Sequence, residues 1–134
     1  MAKVTRDAAI AYGMRWLAKI LEDIDLENPY SVAHDVLRRI KELKTLLRDE
    51  GLTPEDIGTT QTVIDGLPKA ICASVAKGWL DIIRKNLKKS KDIDSTAMQL
   101  LADHMRQGGI TAQELEIIEP EIIAELREYE GVMV

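Results

Sequence analysis

The run Arg84-Lys85-Asn86-Leu87-Lys88-Lys89-Ser90-Lys91 holds the densest charge in the chain and points first to phosphate binding. Lysine and arginine neutralise backbone phosphates and release condensed counterions, so Arg84, Lys85, Lys88, Lys89 and Lys91 are the candidate nucleic-acid contacts. Two features weigh against them. No aromatic side chain is interleaved for stacking on bases, and the pI is near 5.1. Cations in the last turn of a helix also complement its macrodipole, which accounts for some of these residues without any ligand.

The other groups able to do chemistry stand apart from one another. His34 and Asp35 are neighbours on a helix, where successive side chains diverge by about 100°. His104 has only Asp103 beside it, so a metal site there needs distant segments. Cys72 sits between Ile71 and Ala73 on an apolar helix, the setting of an inert buried thiol, and no basic partner lies nearby in sequence. Glu114, Glu116, Glu119 and Glu121 alternate with Ile117, Ile118, Ile122 and Ile123, which reads as a solvated acidic face over a buried isoleucine face. No catalytic residue, cofactor site or metal site is expected, and the chain reads as non-enzymatic. Small residues supply a different candidate. Ala70, Ser74 and Gly78 repeat every fourth position on one helix face, as Ala9 and Gly13 do ahead of Trp16. Such faces permit close backbone approach, either between the chain's own hairpins or between two copies, so these five are the candidate interface residues.

At 134 residues, with 46% hydrophobic and 31% charged side chains, the chain suits one compact domain spanning 1–134. Neither a signal peptide nor a membrane span is expected, and one cysteine fits a reducing compartment, so a cytoplasmic location is expected. The net charge of -5 is unevenly spread: residues 69–91 carry seven basic groups and one acid, whereas 92–134 carry two basic groups and ten acids. A basic belt therefore borders an acidic C-terminal region.

Thr5 can cap a first helix running to about Asp23, with Ile10, Met14, Leu17, Leu21 and Ile24 as one buried stripe. Asn28 and Pro29 open a second helix through Val32, Val36, Ile40, Leu43 and Leu47, which Gly51 closes. Thr53 with Asp56 resembles a capping box, and Leu52 with Ile57 the accompanying hydrophobic staple. A short helix from Pro54 to about Asp65 is expected to stop at Gly66, with a new one from Pro68 to about Leu87. Asp94 or Ser95 caps the next, ending near Gln107. A sixth begins at Thr111 and meets Pro120, where a kink or restart is expected.

The chain also looks duplicated. Trp16-Leu17-x-x-Ile20 returns as Trp79-Leu80-x-x-Ile83, and Gly51-Leu52-Thr53 through Asp56-Ile57 returns as Gly109-Ile110-Thr111 through Glu114-Leu115. Aligning the glycines places Ile40 on Met98, Leu43 on Leu101 and Leu47 on Met105. The expected fold class is all-α, a compact bundle of five to six helices made from two related hairpins, about 5–66 and 68–130.

From Ile71 to about Leu115, a small-residue helix, a basic connection, a capped helix at Asp94-Ser95-Thr96 and a Gly109-Ile110-Thr111 exit resemble the helical-hairpin core of small terminase subunits of short-tailed phages. That resemblance implies ring assembly and recognition of viral DNA through the Arg84 to Lys91 segment. The leading expectation from the residues is a non-catalytic helical subunit that binds a protein partner or itself, as a dimer or higher homo-oligomer. The alternative is a nucleic-acid-binding packaging or regulatory subunit.

Overall fold

The computed structural model describes residues 5–25, 33–90 and 92–134. Five α-helices run through them: α1 (Arg6–Asp25), α2 (Ala33–Asp49), α3 (Gln61–Ser90), α4 (Ser95–Gly108) and α5 (Pro120–Leu126). A 3₁₀ turn, Pro54–Ile57, joins α2 to α3, and the fold is all-α, with no strand among the described residues. The expected Asn28 cap, the Pro29 start and Val32 lie outside those residues.

Two apolar clusters divide the interior. The first gathers Leu17 and Ile20 of α1, Ile40, Leu43 and Leu47 of α2, Leu52 and Ile57 of the turn, and Ile64, Leu67, Ile71 and Val75 of α3. The second gathers Cys72, Ala76, Leu80 and Ile83 of α3, Met98, Leu101 and Met105 of α4, Ile110, Leu115 and Ile117, and Ile122 and Leu126 of α5. The first half of α3 thus completes one unit and its second half begins the next. Trp79 packs against both clusters.

Each unit repeats the other in geometry as well as in pattern. Aligning Trp16 with Trp79 places the buried face of α1, Ala9, Gly13, Leu17 and Ile20, on Cys72, Ala76, Leu80 and Ile83, all buried on α3. The helix endings match in two backbone bonds. Leu52 N donates to Leu47 O at 2.8 Å and Ile110 N to Met105 O at 2.8 Å; Gly51 N donates to Arg48 O at 3.2 Å and Gly109 N to Arg106 O at 3.3 Å. These paired bonds around a left-handed glycine, with φ of 63° at both Gly51 and Gly109, form the Schellman ending that satisfies the last helical carbonyls.

Some expectations fail locally. The helix expected from Pro54 to Asp65 is only the 3₁₀ turn, and the boundary expected at Gly66 to Pro68 falls inside a single 30-residue helix. Ile64, Leu67, Ile71 and Val75 share one buried face of α3 across that point. Burying four such side chains, at roughly 1.5–3 kcal/mol each, outweighs roughly 1 kcal/mol for a helical glycine and 3 for proline. On α1 the expected stripe holds at Leu17, with Ile10 and Ile24 packed against the first core, but Met14 is 51% and Leu21 39% exposed. The small face is inward instead, because the 3₁₀ turn approaches so closely that a Cβ at Gly13 would meet Ile57 Cγ2 at 2.9 Å.

The helix expected from Thr111 is a turn. Thr111 N donates to Glu114 Oε1 at 3.2 Å and Glu114 N to Thr111 Oγ1 at 3.1 Å, so the capping box forms. The chain then departs through Glu116 at a φ of 55°, and Pro120 restarts a helix as α5. Departure at Glu116 also overturns the isoleucine face, since Ile117 and Ile122 are buried but Ile118 is 80% exposed.

Candidate functional site

A groove of about 670 Å³ runs between the C-terminal half of α3 and the segment 119–121. One wall comes from α3, whose successive turns place Asp81, Lys85 and Lys88 along one side with Leu87 among them. The facing wall is Glu119 and Glu121, carried by the restart of the chain at Pro120.

Arg84 joins the walls. Its Nε donates to Glu119 Oε2 at 2.7 Å, and its Nη2 donates to Glu119 Oε1 at 3.0 Å and to Glu116 O at 2.9 Å. The guanidinium fork matches the carboxylate, so one side chain pins the irregular segment 116–119 to α3. Those hydrogen bonds hold the Glu119 carboxyl below its ordinary range and raise the Arg84 guanidinium above its own. A lysine could not make the three bonds with one rigid plane.

The candidate nucleic-acid contacts therefore divide. Arg84 is committed to Glu119, and Lys85 Nζ lies 3.0 Å from Asp81 Oδ2 one turn earlier. Lys88 and Lys89 are exposed, and no ion pair engages them among the described residues. Lys91 lies outside the described residues. The acids Asp81, Glu119 and Glu121 line the same groove, so its charge is mixed rather than uniformly positive.

The small-residue candidates are mostly internal. Ala9 and Gly13 face the first core, and Ser74 and Gly78 are buried on α3, so the close approach they permit is between elements of one chain. Ala70 is half-buried. Ser74 Oγ is buried and has no hydrogen-bond partner among the described residues.

On its other side the 116–121 segment borders an apolar hollow lined by Ile117, Ile118, Ile123 and Val134, with Glu116 and Arg127 at its margin. Ile118 caps the ridge between hollow and groove. Sequence reasoning missed this exposure because it continued a helix through 111–118. Pro120, which disfavours helical backbone at Glu119, was the available signal. Glu116, Glu121, Glu125, Glu128 and Glu130 surround this end without ion pairs among the described residues, whereas Glu114 is held by Lys69 Nζ at 2.7 Å. That contact is the main reason its carboxyl sits below the ordinary range, with a backbone bond from Thr111 assisting.

The remaining reactive groups stay apart. Burial pushes the Cys72 thiol up, away from the thiolate a nucleophile requires. His104 Nδ1 donates to Leu100 O at 2.8 Å, one turn back on α4. His34 Nε2 does meet Asp35 Oδ1, at 3.5 Å, but on an exposed surface. No group of three His, Cys, Asp or Glu side chains among the described residues is placed to hold a metal ion, and no described helix is long and apolar enough to cross a membrane. Comparison with family models, with curated proteins and with solved structures finds no match for the chain.

Proposed function

We propose that this chain acts without catalysis, as a helical interaction or assembly subunit whose chemistry is surface complementarity. The observation that supports the reading is Ile118, 80% exposed at the crest of a ridge with Ile123 and Val134 beside it. A large aliphatic side chain flanked by charged residues is the composition of an interface centre and its rim. The positioning is specific: Arg84 makes three hydrogen bonds through Nε and Nη2 to the segment that presents it.

The test is a photo-crosslinking residue placed at position 118 in the intact chain within its native cell. Adducts to protein are expected at 118 and absent from Gln99, an exposed position on α4. Adducts only to nucleic acid, or none at 118, would sink the reading.

A second reading, nucleic-acid contact by a packaging or regulatory subunit, is supported by Lys88 and Lys89, adjacent exposed cations of the belt that no described acid engages. Reversing both to Glu then weakens binding and flattens its salt dependence. Unchanged affinity removes that reading.

A further inference from the structure

We infer that the partner of the Arg84-pinned ridge is a second copy of this chain, docked about a two-fold axis. This rests on the association reading above and names its partner.

The ridge segment carries Ile118 and contributes Glu121 to one wall of the groove, and Leu87 and Lys88 stand on the α3 wall. Charges already satisfied within the chain drop out of the balance, because Arg84 is held by Glu119 and Lys85 stands beside Asp81. What remains facing outward at the groove is one cation, Lys88, and one anion, Glu121, on opposite walls. Adjacent positive and negative walls are self-complementary under a two-fold rotation: Lys88 of each copy meets Glu121 of the other. The same rotation lowers the ridge of each copy into the groove of the other, so Ile118 leaves water against Leu87. The contact is isologous, every pairing occurs twice, and the association closes at two copies.

The first unit shows that this surface is not a demand of the fold. Thr60 and Asp65 stand where the second unit has Ile118 and Ile123, on a turn with the same backbone bonds. A polar Thr60 serves that geometry equally well, so the exposed Ile118 answers to something outside the monomer, whereas Ile123 packs against the second core.

Sedimentation velocity on the full chain from micromolar to millimolar concentration, at low and moderate salt, tests the inference. A dimer that weakens with salt is expected. Lys88→Glu and Glu121→Lys, each entering the contact twice, should each weaken it on the order of tenfold or more. An equimolar mixture of the two variants should dimerise again, because the reversed charges then face their opposites. Ile118→Asp should give a monomer with unchanged helical circular dichroism, and Lys41→Glu on α2 should leave the mass alone. A wild-type chain that stays monomeric, a ring-sized mass, or charge variants as dimeric as wild type would each overturn the two-fold docking. Protein adducts at position 118 to a different chain, together with a monomeric mass, would remove this inference while leaving the association reading intact.

Discussion

After α2 the chain turns back through Gly58 at a φ of 80°; after α4 it makes the same turn through Glu116 at a φ of 55°. Flanking bonds agree to the tenth of an ångström. Gly58 N donates to Glu55 O and Glu116 N to Gln113 O, both at 3.0 Å, and Thr59 N donates to Pro54 O and Ile117 N to Ala112 O, again at 3.0 Å. One unit thus uses the residue that adopts left-handed backbone without steric cost, and the other forces an L side chain into it, at roughly 1–2 kcal/mol. Since the geometry is common to both, the turn itself does not require glutamate. The second unit has accepted strain at the residue whose carbonyl Arg84 grips, immediately before the exposed Ile118.

The comparison breaks most visibly in the cores. Leu43 and Leu101 occupy equivalent, fully buried positions, so Leu43→Ala and Leu101→Ala should each lose about 2–5 kcal/mol in urea unfolding. Both should melt in one transition, because α3 belongs to both clusters. A separate transition for either unit would mean that the shared helix does not couple them.

The next largest effect belongs to one unit alone. A Cβ at Gly108 would stand 2.7 Å from Cys72 Cβ and 2.8 Å from Ile110 Cδ1, so Gly108→Ala should destabilise by about 1–3 kcal/mol. Glu50 holds the matching place in the first unit and is exposed, so Glu50→Ala should change stability by under about 0.5 kcal/mol. Equal losses at the two sites would show that α4 does not approach α3 this closely.

Exchanging the turn residues sharpens the contrast. Glu116→Gly should stabilise by about 0.5–1 kcal/mol and Gly58→Ala should cost about as much, read from chemical-denaturation midpoints. A loss on Glu116→Gly would indicate that the glutamate side chain contributes something the turn needs.

Acid sensitivity separates the units at one position. Glu119 is held below its ordinary 4.5 chiefly by the hydrogen bond from Arg84, so it adds stability above that pH and surrenders it as the pH falls through the lowered value. Gln61 stands at the matching position of the first unit, with no charge to lose. Glu119→Gln should therefore lower the denaturation midpoint at neutral pH and do so progressively less below pH 4.5. A pH-independent loss would show that the ion pair is not its source. Smallest of all, Ile118→Thr copies Thr60 and should leave the midpoint within about 0.5 kcal/mol, as befits a side chain facing water in the monomer.

Local chemistry made much of the fold legible. Thr5, Asp94, Gly51 and Gly109 cap as their residue types require: Ala8 N bonds Thr5 Oγ1, and Thr96 N and Ala97 N bond Asp94 Oδ1. The spacing of Ile40, Leu43 and Leu47, and of Met98, Leu101 and Met105, correctly assigns the inward faces of α2 and α4. Gly66 and Pro68 misled, because their penalties are local and small beside the burial on either side of them. Met14 and Leu21 misled for a related reason: periodicity identifies an apolar face, but Ala9 and Gly13 offered the 3₁₀ turn a closer approach. Of the site, only the lysines could be read directly. Arg84 and Glu119 lie 35 residues apart, and no local pattern pairs them.

The sequence by itself determined the helical class, the caps, the doubled pattern and the uneven charge. The class and the caps follow from bond geometry and periodicity within a few residues, and the doubling and the charge from comparing or counting residue types along the chain. Only the tertiary structure decided that one helix serves both units, that Arg84 is spent on holding a segment, and that Ile118 faces water. Those outcomes depend on which distant surfaces approach first, and on burial energies summed over whole faces that no local spacing records.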